Sequence, residues 1–321
     1  MQPTLHQLHI LDVVAEEGGV TRAAARLHLT QPTLSIQLRQ LADIIGEPLI
    51  EQVGRRVFLT EAGHEVRQAA RQIDDELSAL RARLAARRGL EQGRLRMSVV
   101  STAEYFMPRL LGDFQHAHPG IEVALHVLNR SEVVRRMEEN ADDVYLMTRP
   151  PDDRGLRAEP MGGNPLVLVS APDHPWASRR RIPARAFADV AFVVREQGSG
   201  TRQTSEEWFR TRGVRLRARL ELGSNEAVKQ AVRGGFGVAV LSAHAVLLEV
   251  ESGLMARLDV AGLPIPSRWH LVTRSGRALP PVVEVFRAYL KKQAMPEMLR
   301  AIDAGMARGG PGRARARPRS G

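Results

Sequence analysis

TQPTLSIQLRQLADII, residues 30–45, carries the most specific pattern in the chain. Leu34, Leu38, Leu41 and Ile45 recur at steps of four, three and four, which is one buried stripe of an α-helix. At about 100° per residue, Pro32, Ile36, Arg39 and Asp43 point directly away from that stripe, with Thr33, Ser35 and Gln40 flanking them. Thr30 stands where an N-cap is needed, and Pro32 is tolerated in the first turn. The outward N-terminal half is short, polar and nearly free of acids. A helix that enters a major groove about as wide as itself needs such a face. Ile36 has no folding reason to face outward; contact with a thymine methyl would supply one.

The flanks fit this reading. Leu5, Leu8, Leu11 and Ala15 share one side of a first helix that Gly18-Gly19 ends, and a short helix from Thr21 to Leu27 precedes a turn at His28-Leu29. Beyond Gly46, Leu49–Gln52 and Arg56–Leu59 read as two strands, and the Val53-Gly54-Arg55 turn between them forms a wing presenting Arg55 and Arg56. Residues 1–60 are therefore expected to form a winged helix-turn-helix.

Thr60 caps the next helix, over residues 61–92, in which Val66, Ala70, Ile73, Leu77, Leu80 and Leu84 alternate steps of four and three. That is a seam of period 3.5 between charged flanks, the pattern of a dimerising coiled coil. A homodimer would place two recognition helices on one inverted repeat. Arg87-Arg88-Gly89 with Gly93 reads as a hinge.

Composition narrows the class. The chain has 321 residues, 43% hydrophobic, enough for two or three cores. The absence of cysteine excludes disulfides, thiolate metal sites and thiol catalysis. The start has no basic n-region, and no stretch approaches the roughly 18 uncharged apolar residues of a membrane span, so a cytoplasmic location is expected. The net charge of +10 is unevenly placed. Arg308, Arg313, Arg315, Arg317 and Arg319 lie in the tail without an acid, whereas residues 1–64 carry five arginines against seven acids. A DNA partner is argued from geometry, since the charge is not where the motif is.

From Leu95 the pattern alternates strand and helix: strands 95–100, 121–128 and 144–148 with helices 105–116 and 131–139, then strands 166–171, 190–195, 217–222 and 237–241 with helices 202–211 and 225–233. This is an α/β domain over residues 93–295 with a mainly parallel sheet. A last strand, 269–274, and a helix, 282–292, return to the first half, giving lobe I about 93–162 and 269–295 and lobe II about 163–268. Ligands bind beyond the carboxyl ends of such strands. The loops there hold Ser101, Thr102, Asn129, Arg130, Thr148, Arg149 and Asn225, and above all REQGSGTR, residues 195–202. In it Gly198, Ser199, Gly200 and Thr201 expose backbone amides at a helix start, with Arg195 and Arg202 adding positive charge. An anionic effector follows.

AAARLHLTQPTLSIQLRQLADIIGEPLIEQVGRRVFLTEAG, residues 23–63, resembles the DNA-binding region of LysR-type transcriptional regulators almost position by position, and the match extends through most of the chain. The resemblance implies that Gln31, Pro32, Thr33, Ser35 and Ile36 meet bases or adjacent phosphates, with outward Arg39 beside them, and that Arg55 and Arg56 meet the minor groove or backbone. It also implies an effector domain of two lobes like a periplasmic binding protein. The ligand lies between them, linker-helix dimers pair into homotetramers, and RNA polymerase is a further partner. VSTAEYFMPRLL, NRSEVV, REQGSGTR, ELGSNEAVKQAV and GFGVAVLS resemble the subgroup that controls Calvin-cycle genes (CbbR-type regulators of RuBisCO operons). Such regulators sense phosphorylated metabolites or nucleotides, such as ribulose bisphosphate, phosphoglycolate or NADPH. Two departures are visible: Ala42-Asp43 stands where an acidic pair is common, and Thr148 where a glycine is common before Arg-Pro.

Other motifs carry less. Ser199 lacks a nucleophile elbow and a tied histidine, so catalysis is not expected. His116 and His118 lack the further ligands of a metal site, and no cofactor is expected. Residues 296–321, ending GGPGRARARPRSG, read as a basic disordered tail. The alternatives are a LysR regulator of another operon with a carboxylate effector, a solute-binding protein with an accessory helical domain, and an enzyme.

Overall fold

Thr4 starts the first helix with a reciprocal cap: its hydroxyl accepts from the Gln7 amide, and the Gln7 side chain accepts from the Thr4 amide. Helix α1 spans Leu5–Glu17, α2 Val20–Arg26 and α3 Gln31–Ile45. Leu8, Ile10, Leu11, Val13 and Val14 of α1 pack with Ala23 and Ala24 of α2 and with Leu34, Leu38 and Leu41 of α3. The alanines let the helices approach closely. Two residues expected inside are not there: Leu5 is 55% exposed and Ile45 38%. Each sits at a helix end, beyond the reach of the neighbouring helix. β1, Ile50–Val53, pairs antiparallel with β2, Arg56–Leu59. The computed structural model describes residues 2–53, 56–86, 93–276 and 279–308, so Arg55 at the expected wing tip lies outside the described residues.

Thr60 donates its hydroxyl to the Pro48 carbonyl and accepts from the Gly63 amide, which anchors α4, Glu61–Ala86. Asp12 on α1 pairs with Arg67 at 2.7 Å and Arg71 at 2.9 Å, binding α4 to the same unit. The expected seam divides. Val66 and Ala70 pack on the helix-turn-helix core, whereas Ile73, Leu80 and Leu84 are 40%, 45% and 47% exposed.

The chain divides into two units, residues 1–88 with 139–141, and the remainder. The second unit holds β3 Gly93–Val100, α5 Met107–Ala117, β4 Ile121–Leu128, α6 Arg130–Glu138, β5 Val144–Met147 and β6 Leu156–Gly163. Then come β7 Leu166–Ser170, β8 Ala191–Arg195, α7 Gly200–Arg210, β9 Arg217–Leu222, α8 Asn225–Arg233, β10 Ala239–Ser242, α9 Ala243–Glu251, β11 Ala256–Arg257 and β12 Arg268–Arg274. The lobe I sheet is ordered β4-β3-β5-β12-β6. β3 is parallel to β4 and β5, and the returning β12 is antiparallel to β5 and β6. In lobe II, β8 and β9 are parallel, but β7 runs antiparallel to both β10 and β11. The sheets are thus more mixed than expected, because a short buried apolar run carries no sign of strand direction. The two crossovers that join the strands of the lobes run side by side, where the Asn164 amide donates to the Ser267 carbonyl at 2.8 Å.

The C-terminal expectation needs correction. After α10, Pro281–Tyr289, a π-helical turn, Leu290–Ala294, leads into α11, Met295–Arg308. Residues 296–308 are therefore a packed helix and not the start of a tail. Met295 joins the lobe I core, Ile302 and Met306 join the lobe II core around Val246 and Val250, and Met298 touches both. Leu299 fills the space that a side chain at Gly162 would need. Residues 309–321, with the expected tail arginines beyond Arg308, lie outside the described residues.

Candidate functional site

The first candidate surface is the free side of α3. Thr30 caps the helix by accepting from the Thr33 amide, and its hydroxyl meets that of Thr33 at 2.8 Å. With Leu34, Leu38 and Leu41 buried, Gln31, Pro32, Thr33, Ile36 and Arg39 stand exposed and Ser35 half-buried. Ile36 is 52% exposed. A branched apolar side chain held in water on a rigid helix is the expected contact for a thymine methyl. Arg56 is exposed on β2. Arg26, by contrast, is taken by Glu16 and Glu17 at 2.8 and 3.0 Å.

The second candidate is the cleft of the α/β unit. Every loop named from the sequence leaves the carboxyl end of a strand, and the fold brings them together there. Gly198, at φ +87°, lets the 196–200 loop approach lobe I: a Cβ there would lie 2.6 Å from the Ser131 hydroxyl. A Cβ on Gly200 would lie 3.5 Å from Arg130 Cδ and 3.7 Å from the Thr148 hydroxyl. Ser199 caps α7 by accepting from the Arg202 amide. By helix geometry the first-turn amides, at Gly200 and Thr201, have no carbonyl within the helix to donate to.

Arg195 is 3% exposed. It holds Glu196 through Nε at 2.7 Å and Nη2 at 2.9 Å, donates to Asn225 Oδ1, and reaches Ser101 Oγ of lobe I at 3.1 Å. Arg149 crosses from lobe I to Thr204 at 3.3 Å and Glu207 at 3.0 Å on α7. Arg130 differs. Its Nε donates to the Arg149 carbonyl at 2.8 Å, and among the described residues it pairs with no carboxylate. Burial and the neighbouring Arg149 charge pull its guanidinium below the ordinary arginine value. A half-buried cation pressed against a second cation is an unmet demand for an anion.

Three sequence assignments change in detail. Arg202 does not offer its guanidinium to a ligand, because Glu206 at 2.7 Å, Glu221 at 2.6 Å and the Arg195 carbonyl at 2.9 Å hold it. The Asn129 side-chain oxygen accepts from the Glu132 amide, capping α6. Thr102 is 5% exposed, so its side chain has little surface to offer a ligand. Ser131, Thr204 and Glu104 were missed in the sequence. Ser131 lies in the first turn of α6 and Thr204 one turn into α7, both helices that follow named loops. Glu104 accepts from Asn225 Nδ2 at 3.4 Å, a contact 121 residues apart in sequence.

A winged helix-turn-helix, a long helix and a two-lobed α/β domain are together the parts of a DNA-binding transcriptional regulator. Residues 5–64 match the bacterial regulatory helix-turn-helix protein model of the lysR family, and residues 88–295 match the LysR substrate binding domain. The chain belongs to the LysR family of transcriptional regulators. It is 44% identical over 287 residues to a RuBisCO operon transcriptional regulator of Acidithiobacillus ferrooxidans, covering 89% of this chain and 93% of that one. It is 43% identical over 294 residues to the regulator so named in Allochromatium vinosum, covering 92% and 97%. Among solved structures, the regulatory domain of CcmR from Synechocystis PCC6803 in complex with 2-PG is 44% identical, with a TM-score of 0.61, covering 63% of this chain and 98% of that one. Full-length CbnR with its target DNA, at 21% identity and a TM-score of 0.64, covers 90% and 99% and shares the fold.

Proposed function

We propose that this regulator controls carbon-fixation genes, the RuBisCO operon among them, in response to a small phosphorylated metabolite of the phosphoglycolate type bound between the lobes. The observation that carries the effector class is Arg130, half-buried beside Arg149 without a carboxylate of its own. A phosphate supplies the missing charge and accepts from several donors at once. Arg130, Arg149, the hydroxyls of Ser131 and Thr148, and the α7 amides of Gly200 and Thr201 surround the place where it would sit. The RuBisCO regulators named above and the 2-PG complex of CcmR support the same choice.

The regulator acts in the cytoplasm, and no helix among the described residues is long and apolar enough to cross a membrane. Gln31, Pro32, Thr33, Ser35, Ile36 and Arg39 face the major groove, with Arg55 and Arg56 on the flanking backbone or minor groove. Two chains pair through α4, using the exposed positions Ile73, Leu80 and Leu84 with half-buried Leu77. Dimers join into tetramers that span two adjacent sites and meet RNA polymerase there. The effector binds one interlobe geometry more tightly than the other, and only that difference shifts the DNA-bound form.

The test is a DNase footprint on the region upstream of a carbon-fixation operon, with and without 2-phosphoglycolate. Protection of an inverted repeat whose extent or bending changes with 2-phosphoglycolate is expected. Protection unaffected by 2-phosphoglycolate, ribulose bisphosphate and NADPH alike would remove the effector reading.

A further inference from the structure

The net charge of +10 is found neither on the helix-turn-helix unit nor wholly in the tail. Much of it lies on one face of lobe II. Ile182, Phe187, Phe192, Phe209 and Val214 share one small core. On its outside, the turn before β8 presents Arg179, Arg180, Arg181 and Arg185, all exposed. The end of α7 and the stretch leading into β9 present Arg210, Arg212, Arg215, Arg217 and Arg219, also exposed.

The two groups adjoin. Ile182 bridges Val260, and its carbonyl accepts from the Ala261 amide at 2.9 Å. Gly262 on the same segment lies against Trp208 and Arg212. On the other side, Arg217 reaches Asp189, the residue two before β8, at 3.6 Å.

Across both groups that pairing, with Asp189 96% exposed, is the one ion pair among the described residues. The Arg212 guanidinium lies 4.0 Å from the centre of the Trp208 ring and that of Arg219 5.7 Å from the Phe236 ring, contacts that leave both residues exposed. The nine arginines outnumber the acids beside them, Asp189, Asp259 and the α7 pair Glu206-Glu207, and repel one another. Guarding an exposed strand edge takes only a charge or two on that strand. It does not account for the turn at 179–181 or the end of α7.

We propose that this arginine face of lobe II is a second, sequence-independent DNA-binding surface that holds phosphates of duplex outside the stretch read by α3. Duplex DNA presents one charge per about 1.7 Å of axis, so cations spread over a face find phosphates without a fixed register. The division of labour follows from the charges. Residues 1–64 carry five arginines against seven acids and read sequence with short polar and apolar groups, while lobe II supplies counterion release. The surface is remote in chemistry from the effector cleft, whose arginines are occupied or half-buried, and it stands whether or not that cleft binds a phosphate.

The experiment compares full-length wild type with R215Q/R217Q/R219Q and, separately, R179Q/R180Q/R181Q. Binding is measured across a salt series to a short operator duplex and to the same operator extended on both sides. Thermal melting of each variant serves as the folding control, and two variants on separate segments guard against one misfolding. On the extended duplex each variant is expected to flatten the slope of log K against log salt by about two to three units, near 0.9 for each phosphate no longer neutralised. On the short duplex the slopes should match wild type. Unchanged slopes on the extended duplex in both folded variants would overturn the proposal and leave the face to an acidic protein. An equal loss on the short duplex would also overturn it.

Discussion

Helices α3 and α7 begin alike and end up doing opposite things. Each is capped by a hydroxyl, Thr30 on α3 and Ser199 on α7, that accepts an amide three residues on. Around α3 the outward side chains stay in water with few partners, the longest being a Thr21–Gln31 hydrogen bond at 3.5 Å. Around the start of α7, where it meets the cleft, almost every charged group is already held, as Arg195 by Glu196 and Arg202 by Glu206 and Glu221. A surface that meets a large, rigid, hydrated duplex keeps its hydrogen-bonding groups uncommitted. A surface that senses a small anion is enclosed, and its internal ion pairs set which cation is left wanting. Arg130 is that cation.

The strongest way to break this contrast is to attack what holds α3 in place. Leu34 is fully buried, and Leu34→Ala should cost about 2–5 kcal/mol through lost packing and a cavity. Calorimetry should then show the N-terminal transition lowered, with all operator binding weakened. A variant that melts like wild type would mean that the stripe does not carry the packing. Next, Gln31→Ala or Ser35→Ala should leave stability within about 0.5 kcal/mol and lose about 1–3 kcal/mol of discrimination at one base position. Competition against single-base operator variants measures this, and uniform loss across all sequences would place these residues on phosphates instead. Arg56→Ala should act in the reverse manner, flattening the salt slope by about one unit without relaxing preference.

On the α7 side, Arg202→Gln should lower thermal stability by roughly 1 kcal/mol, since its carboxylate partners are 46% and 47% exposed and solvent screens the pairs. Its affinity for 2-phosphoglycolate should stay within a few-fold of wild type. A complete loss of response with intact folding would return Arg202 to the ligand.

The comparison also shows what a sequence discloses. The period of Leu34, Leu38 and Leu41 fixes both faces of α3 at once, because a rigid helix leaves no freedom in where a residue points. The loops of the cleft were legible as loops at strand ends, and each of them follows the carboxyl end of a strand. The destination of each guanidinium was not legible. Glu206 stands four residues from Arg202 and was in plain view, but Glu221 reaches it only through the pairing of β8 with β9. The spacing of Met295, Met298, Ile302 and Met306 marks α11 as amphipathic, yet the arginine-rich run behind it gives the segment the composition of a tail. The partners of that face come from both lobes, which no local pattern records.

Whether Arg130 is the cation that an anionic effector satisfies is decided by titrating 2-phosphoglycolate into full-length wild type and Arg130→Gln, followed by calorimetry. The expected result is at least a tenfold loss of affinity in the variant, about 1.4 kcal/mol, while its affinity for operator DNA without the metabolite stays equal to wild type. Equal binding of 2-phosphoglycolate by both proteins would contradict it.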